Sequence, residues 1–305
     1  MSHFLTITED QARDKLLKRP FKVTHSLADH PLFRLERIVR LAQSMDRDRI
    51  EYNAGNAAIS QKPEETPRIN MAPTEIISSI ENCNAWLVIK NVELDPDYRA
   101  VLHAVIADIQ AATGYSEKDI TDIRGFLFVS SAHSTTPFHI DGEDNFLLHI
   151  HGEKEVHVFE NEDRALVGEE AMEMSPDKHR NQPYRPEFEE RAEVFRLKPG
   201  EGVHIPYLWP HWVSTGDAYS ISIAVTWKSA RVLRLNKIRF MNGTLRRYGF
   251  PQPAPGRHPA LDSAKVLAYD MAHGMIAPLR RFEPARRFLR QALFGQRANY
   301  FYHEK

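Results

Sequence analysis

From residue 121 to residue 228 the chain runs as short apolar stretches cut by Pro, Gly, Ser and Asp. The region opens with 124–131 (RGFLFVSS) and closes with 220–227 (SISIAVTW). Alternation of period two, rich in β-branched and aromatic residues, reads as strand. A series of short strands separated by turns needs a sandwich or barrel to cover its apolar faces. The one interruption is an acidic, polar stretch at about 162–186, which reads as an insertion between strands.

Within this region Thr136-Pro137-Phe138-His139-Ile140-Asp141 follows a Ser/Thr/Pro break at 134–137 that reads as a turn into the next strand. Residues two apart on a strand point to the same face, so His139 and Asp141 aim an imidazole and a carboxylate at one point. Seventy positions beyond Asp141, 199–211 (PGEGVHIPYLWPH) reads as a Gly/Pro-punctuated hairpin ending in His211. Two imidazoles and one carboxylate occupy one face of an octahedron and leave positions open for a co-substrate and oxygen, which suits non-haem Fe(II). Alone, a His-x-Asp pair is more commonly a satisfied structural pair. The weight comes from the features around it: Thr-Pro ahead of the His, Asn145 four residues after the Asp, Gly152-x-Lys154, and the hairpin His.

On Thr136, His139, Asp141, Asn145, Gly152, Lys154 and His211 the sequence resembles the JmjC-like and cupin-like Fe(II)/2-oxoglutarate dioxygenases. It looks most like the branch that includes the asparaginyl hydroxylase acting on hypoxia-inducible factor. The resemblance runs from about 120 to 228. It implies a double-stranded β-helix, or jelly roll, with His139, Asp141 and His211 on iron. Lys154 would then meet the distal carboxylate of 2-oxoglutarate, with Thr136 and Asn145 helping to hold it. The implied reaction is hydroxylation by O2 of a C–H bond in an unidentified primary substrate, a protein, a peptide or a small molecule.

Other readings share the same stretch. His149-Ile150-His151 with Glu155 has the His-x-His-x3-Glu spacing of ordinary cupin metal sites, and His211 would complete four ligands. That set would make a metalloprotein that works without 2-oxoglutarate, an isomerase or simple dioxygenase. A third reading is a non-catalytic sensor of a small molecule. On a regular strand Asn145, Leu147 and His149 share the inward face with Asp141, so His149 is expected to line the pocket. By position alone Lys154 reads as a solvent-facing hairpin residue, and only the family register turns it inward. His133, His157 and His204 read as surface or core histidines, and Trp209 and Trp212 as packing residues.

Around the core, 1–120 reads as an α/β section and 229–305 as a helical extension. The first has helices at 9–18 and after Asp29-His30-Pro31, where Asp29 is the expected cap and Leu32, Leu35, Ile38, Val39 and Ala42 form a stripe. A possible edge strand at 21–24, a loop at 57–73, a helix at 73–83 capped near Thr74, and a buried strand at 85–90 are also expected. Asp95-Pro96 opens a long helix with Tyr98, Val101, Leu102, Val105, Ile106 and Ile109 on one face, closing at Gly114. The extension reads as helices at 232–241, 259–273 and 284–294.

Charge is split along the chain. Residues 228–305 carry 16 Lys/Arg against 4 Asp/Glu, and the remainder 24 against 37. Either the two parts pair with each other, within the chain or across a dimer, or the basic part faces a polyanion. We expect a homodimer through the C-terminal helices and favour it over nucleic acid. The single Cys83 excludes an internal disulfide framework, no secretory leader is evident, and no run is long and apolar enough to span a membrane. A cytoplasmic location is expected.

Overall fold

The strand pattern of 121–228 is realised as two antiparallel sheets in the computed structural model, which describes residues 3–62, 65–116, 119–173 and 181–276 with Pro284 and Phe288. Ahead of that region come β1 (Leu5–Thr6), β2 (Phe21–His25), α1 (Leu35–Ser44), β3 (Ile50–Ala54), α2 (Pro73–Ser78), β4 (Ala85–Lys90) and α3 (Pro96–Thr113). The core strands are β5 (Thr121–Ser130), β6 (Thr135–His139), β7 (Asp144–His151), β8 (Lys154–Val158), β9 (Glu193–Leu197), β10 (Glu201–Ile205), β11 (His211–Thr215) and β12 (Ser220–Lys228). Among the described residues α4 (Ala230–Arg247) and α5 (Pro259–Ile276) follow.

The larger sheet has the order β1-β2-β10-β7-β12-β5-β4-β3 and the smaller β6-β11-β8-β9. From β5 onward the chain changes sheet at every connection except that between β8 and β9, which carries the acidic insertion. This winding of eight strands into two facing sheets is a double-stranded β-helix, as expected. The inward faces meet in a core of Leu147, Val156, Val158, Phe195, Leu197, Val203, Val213 and Ala224. The outer face of the larger sheet is covered by helices. Phe146, Leu148, Ile150, Ile223 and Trp227 pack there in one cluster with Ile38, Ile76, Tyr98 and Leu102. A strand covered on both faces has no solvent side to make polar. That is why 146–150 (FLLHI) carries apolar residues toward both faces, with His149 the one polar member, rather than a polar/apolar alternation.

Local chemistry accounts for both ends of α3. Asp95 caps α3, its Oδ1 accepting from the backbone of Asp97 and Tyr98. Pro96 sits in the first turn and Gly114 ends the helix at φ +72°. Elsewhere the structure corrects the expectations. The cap after residue 29 is His30, whose Nδ1 accepts from Leu32 N, and a 3-10 turn (Pro31–Phe33) precedes α1. α2 is capped at Ala72, whose N–H donates to Glu75, and stops at Ser78 rather than running to 83. β2 is no edge strand, because it lies between β1 and β10. β3 (IEYNA) lacks clear alternation and is specified by pairing with β4. The helix expected at 284–294 lies outside the described residues apart from Pro284 and Phe288.

The chain divides into two compact units, 1–166 with 181–230, and 167–180 with 231–305. In the second unit, Arg239 on α4 pairs with Glu169 at 2.6 Å and Arg246 with Glu173 at 2.7 Å, so some of the charge split is neutralised within the chain. Lys265 on α5 donates to Asn242 at 2.6 Å. Among the described residues, no helix is long and apolar enough to cross a membrane.

Candidate metal centre

The smaller sheet brings the two halves of the histidine–carboxylate set together. β6 and β11 are antiparallel neighbours, and their register places His211 directly opposite His139. Residues 199–211 are not a hairpin of paired strands, since β10 belongs to the larger sheet and β11 to the smaller. The turn between them is the sheet-changing corner that delivers His211. Asp141 is not on the strand of His139 either, because β6 ends at His139. It sits in the corner leading to β7, and its carbonyl accepts from Leu208 N at 2.9 Å. The corner at 206–210 is tied to the same place a second time, by Tyr207 N donating to the buried Asp144 carboxylate at 3.0 Å. Two sheet-changing corners are thus hydrogen-bonded to each other at the mouth of the roll.

The ligand atoms of His139, Asp141 and His211 lie within 4.8 Å of one another, the only such group of His, Cys, Asp or Glu among the described residues. Asp141 Oδ2 is 3.7 Å from His139 Nε2 and 3.6 Å from His211 Nε2. His139 Nδ1 is 2.7 Å from the Pro137 carbonyl and His211 Nδ1 is 2.9 Å from that of Trp209. A carbonyl only accepts, so both Nδ1 atoms carry the proton and both Nε2 lone pairs turn toward the Asp141 carboxylate. Burial, then the neighbouring His139, pushes His211 down to about 4, so its imidazole is neutral at physiological pH. Two imidazoles with Nε2 turned inward and one carboxylate, converging at one point, are a fitting donor set for a divalent transition metal.

Deeper in the roll, Lys154 begins β8 and is buried. The connection from β7 to β8 turns at Gly152, with φ +80°, where a Cβ would fall 2.3 Å from the Tyr219 carbonyl. Only glycine fits that turn. β8 follows in the smaller sheet, and Lys154 sits opposite Thr215 on β11. Its ammonium donates to Ser222 Oγ at 2.7 Å and lies 5.8 Å from the centre of the Phe128 ring. No carboxylate among the described residues is within ion-pair distance of it, and burial pushes Lys154 down to about 7. A buried ammonium with no counter-charge is costly. Asn145 Oδ1, also buried, has no hydrogen-bond partner among the described residues. Thr136 lies opposite Val213 of the inner core, and its Oγ1 accepts from the indole of Trp86 at 2.9 Å.

The rival cupin set is not assembled. His149 is wholly buried, with Nδ1 3.1 Å from Ser222 Oγ and Nε2 2.9 Å from the Gly152 carbonyl. His151 is exposed and stacks on Tyr219, and Glu155 pairs with Arg196 at 2.7 Å. His204 is a core histidine between Leu17 N and the Asn145 carbonyl. His157 is held by Glu189 and stacks on Trp212, while Trp209 lies in the inner core. Sequence reasoning missed Ser222 and Trp86. The alternating hydroxyls of Ser220, Ser222 and Thr226 on β12 were the only trace of the first. Loop residues 55–61 run beside β6, with Phe138 N donating to Ile59 O at 2.9 Å.

Fold and site together define a jelly-roll protein with a two-histidine, one-carboxylate candidate metal centre. The cupin-like domain family matches residues 9–231, and the chain belongs to that family. Among solved structures it is similar to an X-ray structure of E. coli ycfD, at 15% identity and a TM-score of 0.52, covering 96% of this chain and 73% of that one. It is also similar to YcfD, a ribosomal oxygenase from E. coli, in complex with cobalt and 2-oxoglutarate. That match has 15% identity, covers 98% and 72% of the two chains, and has a TM-score of 0.49. The first of these likenesses speaks for the fold alone. No curated protein matches the sequence.

Proposed function

We propose that this protein is an Fe(II)- and 2-oxoglutarate-dependent oxygenase that hydroxylates a C–H bond of a protein, peptide or small molecule. The observation that carries the reading is the pairing of two features inside one roll. A His/Asp/His set converges at its mouth, and a buried ammonium with no carboxylate among the described residues in ion-pair reach lies farther in. His211 and Thr215, which marks the position of Lys154, are four residues apart on β11, about 13 Å along the strand. A short dicarboxylate can bridge an interval of that kind between the side chains at its two ends. His139, Asp141 and His211 would hold the iron. Lys154 would hold the distal carboxylate, while the Thr136 hydroxyl and Asn145 would line its path.

Bound iron and 2-oxoglutarate would supply the oxidising chemistry, driven by O2. The protein's part is geometric and electrostatic. Trp86 donates to Thr136 Oγ1, which leaves the hydroxyl hydrogen free to donate to an acceptor-only anion. The catalytic core in this reading is 121–228, between the 1–120 section and the 229–305 extension, and a cytoplasmic location goes with it. We also propose a homodimer through the C-terminal helices. On α5, Leu267, Met271 and Met275 recur every fourth residue and are all more than half exposed.

The test is turnover without primary substrate. With Fe(II), ascorbate and O2, the full chain should convert 2-oxoglutarate slowly to succinate. Asp141→Ala should abolish this and weaken metal binding by roughly 100-fold or more. An Asp141→Ala protein with intact metal binding and turnover would remove the site.

A further inference from the structure

The partners of the Lys154 ammonium form a directed chain across three strands. Lys154 on β8 touches Ser222 on β12, Ser222 touches His149 on β7, and His149 touches the Gly152 carbonyl. His149 and Ser222 are fully buried and Lys154 nearly so. The directions follow from what each atom can do. The Gly152 carbonyl only accepts, so His149 carries its proton on Nε2. Burial pushes His149 down to about 3, so the ring is neutral and Nδ1 is an acceptor. The Ser222 hydroxyl must then donate to Nδ1, and its oxygen is left to accept from Lys154.

Ser222 reaches this position through an irregularity in pairing. Between β12 and β7 the register shifts from Ile221↔His151 to Ser222↔His149, a bulge that sets the serine opposite the histidine. Bulges re-aim single side chains in this way. A hydroxyl that turned away from the ammonium would leave Lys154 without this acceptor, and the bond from Ser222 to His149 fixes the polarity against that.

We propose that Ser222 and His149 are positioning residues that hold the Lys154 ammonium on the pocket side of the roll, ready for the distal carboxylate of the co-substrate. The inference rests on the 2-oxoglutarate reading above. One N–H of the ammonium is committed to Ser222, and the others remain for an anion.

The experiment is a calorimetric titration of 2-oxoglutarate into the full chain loaded with Mn(II) in place of Fe(II), without O2. It is repeated with 2-oxobutyrate, which keeps the 2-oxo acid and lacks the distal carboxylate. Ser222→Ala should weaken 2-oxoglutarate binding about tenfold and leave 2-oxobutyrate binding unchanged. Ser222→Thr, which keeps a hydroxyl, should restore most of the loss. Should the alanine variant fail to fold, Ser222→Cys, similar in size and a poor acceptor, is expected to show the same selective loss. Equal losses for both ligands, or none for 2-oxoglutarate, would reduce Ser222 to a structural residue and overturn the inference while the co-substrate reading stands. No binding of 2-oxoglutarate by the unaltered protein would overturn both.

Discussion

At the scale of single residues, Lys154, the proposed co-substrate anchor, costs stability by its burial. Its ordinary value of 10.5 falls to about 7 through burial alone. Between those values the unfolded chain holds a proton that the folded chain has lost, so this group's contribution to stability rises with pH from about 7 toward 10. Below 7 the folded protein carries the full cost of a buried charge. Lys154→Met should therefore raise the stability of the metal-free protein at pH 6 by about 1–3 kcal/mol, read from urea denaturation. The same substitution should abolish tight 2-oxoglutarate binding. In the proposed reading a bound carboxylate would keep the lysine of the unaltered protein charged, while without the anion the amine loses its proton above pH 7. Affinity should then fall above pH 7 by up to about tenfold per pH unit. A flat affinity between pH 6.5 and 8.5 would show that the ammonium and the anion do not meet. The residue types of this site were legible beforehand, because His-x-Asp, Gly-x-Lys and the distant His are visible in the chain. Ser222 and Trp86 were not, since a serine in SISIAVTW and a tryptophan in AWLVIK look like ordinary strand residues.

At the scale of elements, the ends of α3 obeyed local chemistry and the end of β6 did not. Asp95 shows the first. Its Oδ1 caps α3, and its Oδ2 takes Arg37 of α1 at 2.6 Å, so one carboxylate both starts a helix and ties it to another. Asp95→Ala should cost about 1 kcal/mol for the cap, with up to about 1 kcal/mol more for the ion pair. Asp95→Asn should keep the cap and lose only the second part, since asparagine caps as well as aspartate does. A shift in the urea midpoint that is equal for the two variants would assign the whole effect to the ion pair. β6 shows the second. Its alternation continues through Asp141, yet pairing with β11 stops at His139, because the chain must turn there to enter the other sheet. No local propensity marks where a strand leaves one sheet for another, and the same ambiguity made the β10–β11 corner look like a hairpin.

For the molecule as a whole, the C-terminal charge finds part of its partner inside the chain, in Glu169, Glu170 and Glu173 against Arg239 and Arg246. The apolar stripe of α5 has no such cover among the described residues. An amphipathic helix owes its stability to what packs on that face, so the full chain is expected to be a dimer at micromolar concentration and a monomer without residues 259–305. Light scattering after size exclusion reads both. A monomeric full chain would sink the dimer, and a dimer that survives truncation would move the interface elsewhere. What the sequence determined by itself was the class of fold and the kinds of ligand, because strand periodicity, turn residues and donor chemistry are local properties. Tertiary structure decided which of the histidines meet. His139 and His211 face each other through the register of β6 and β11, and His149, two residues from an exposed His151, turns inward to hold Lys154 through Ser222. Those outcomes depend on how two sheets exchange strands across 70 residues of sequence, and no local pattern of residues carries that information.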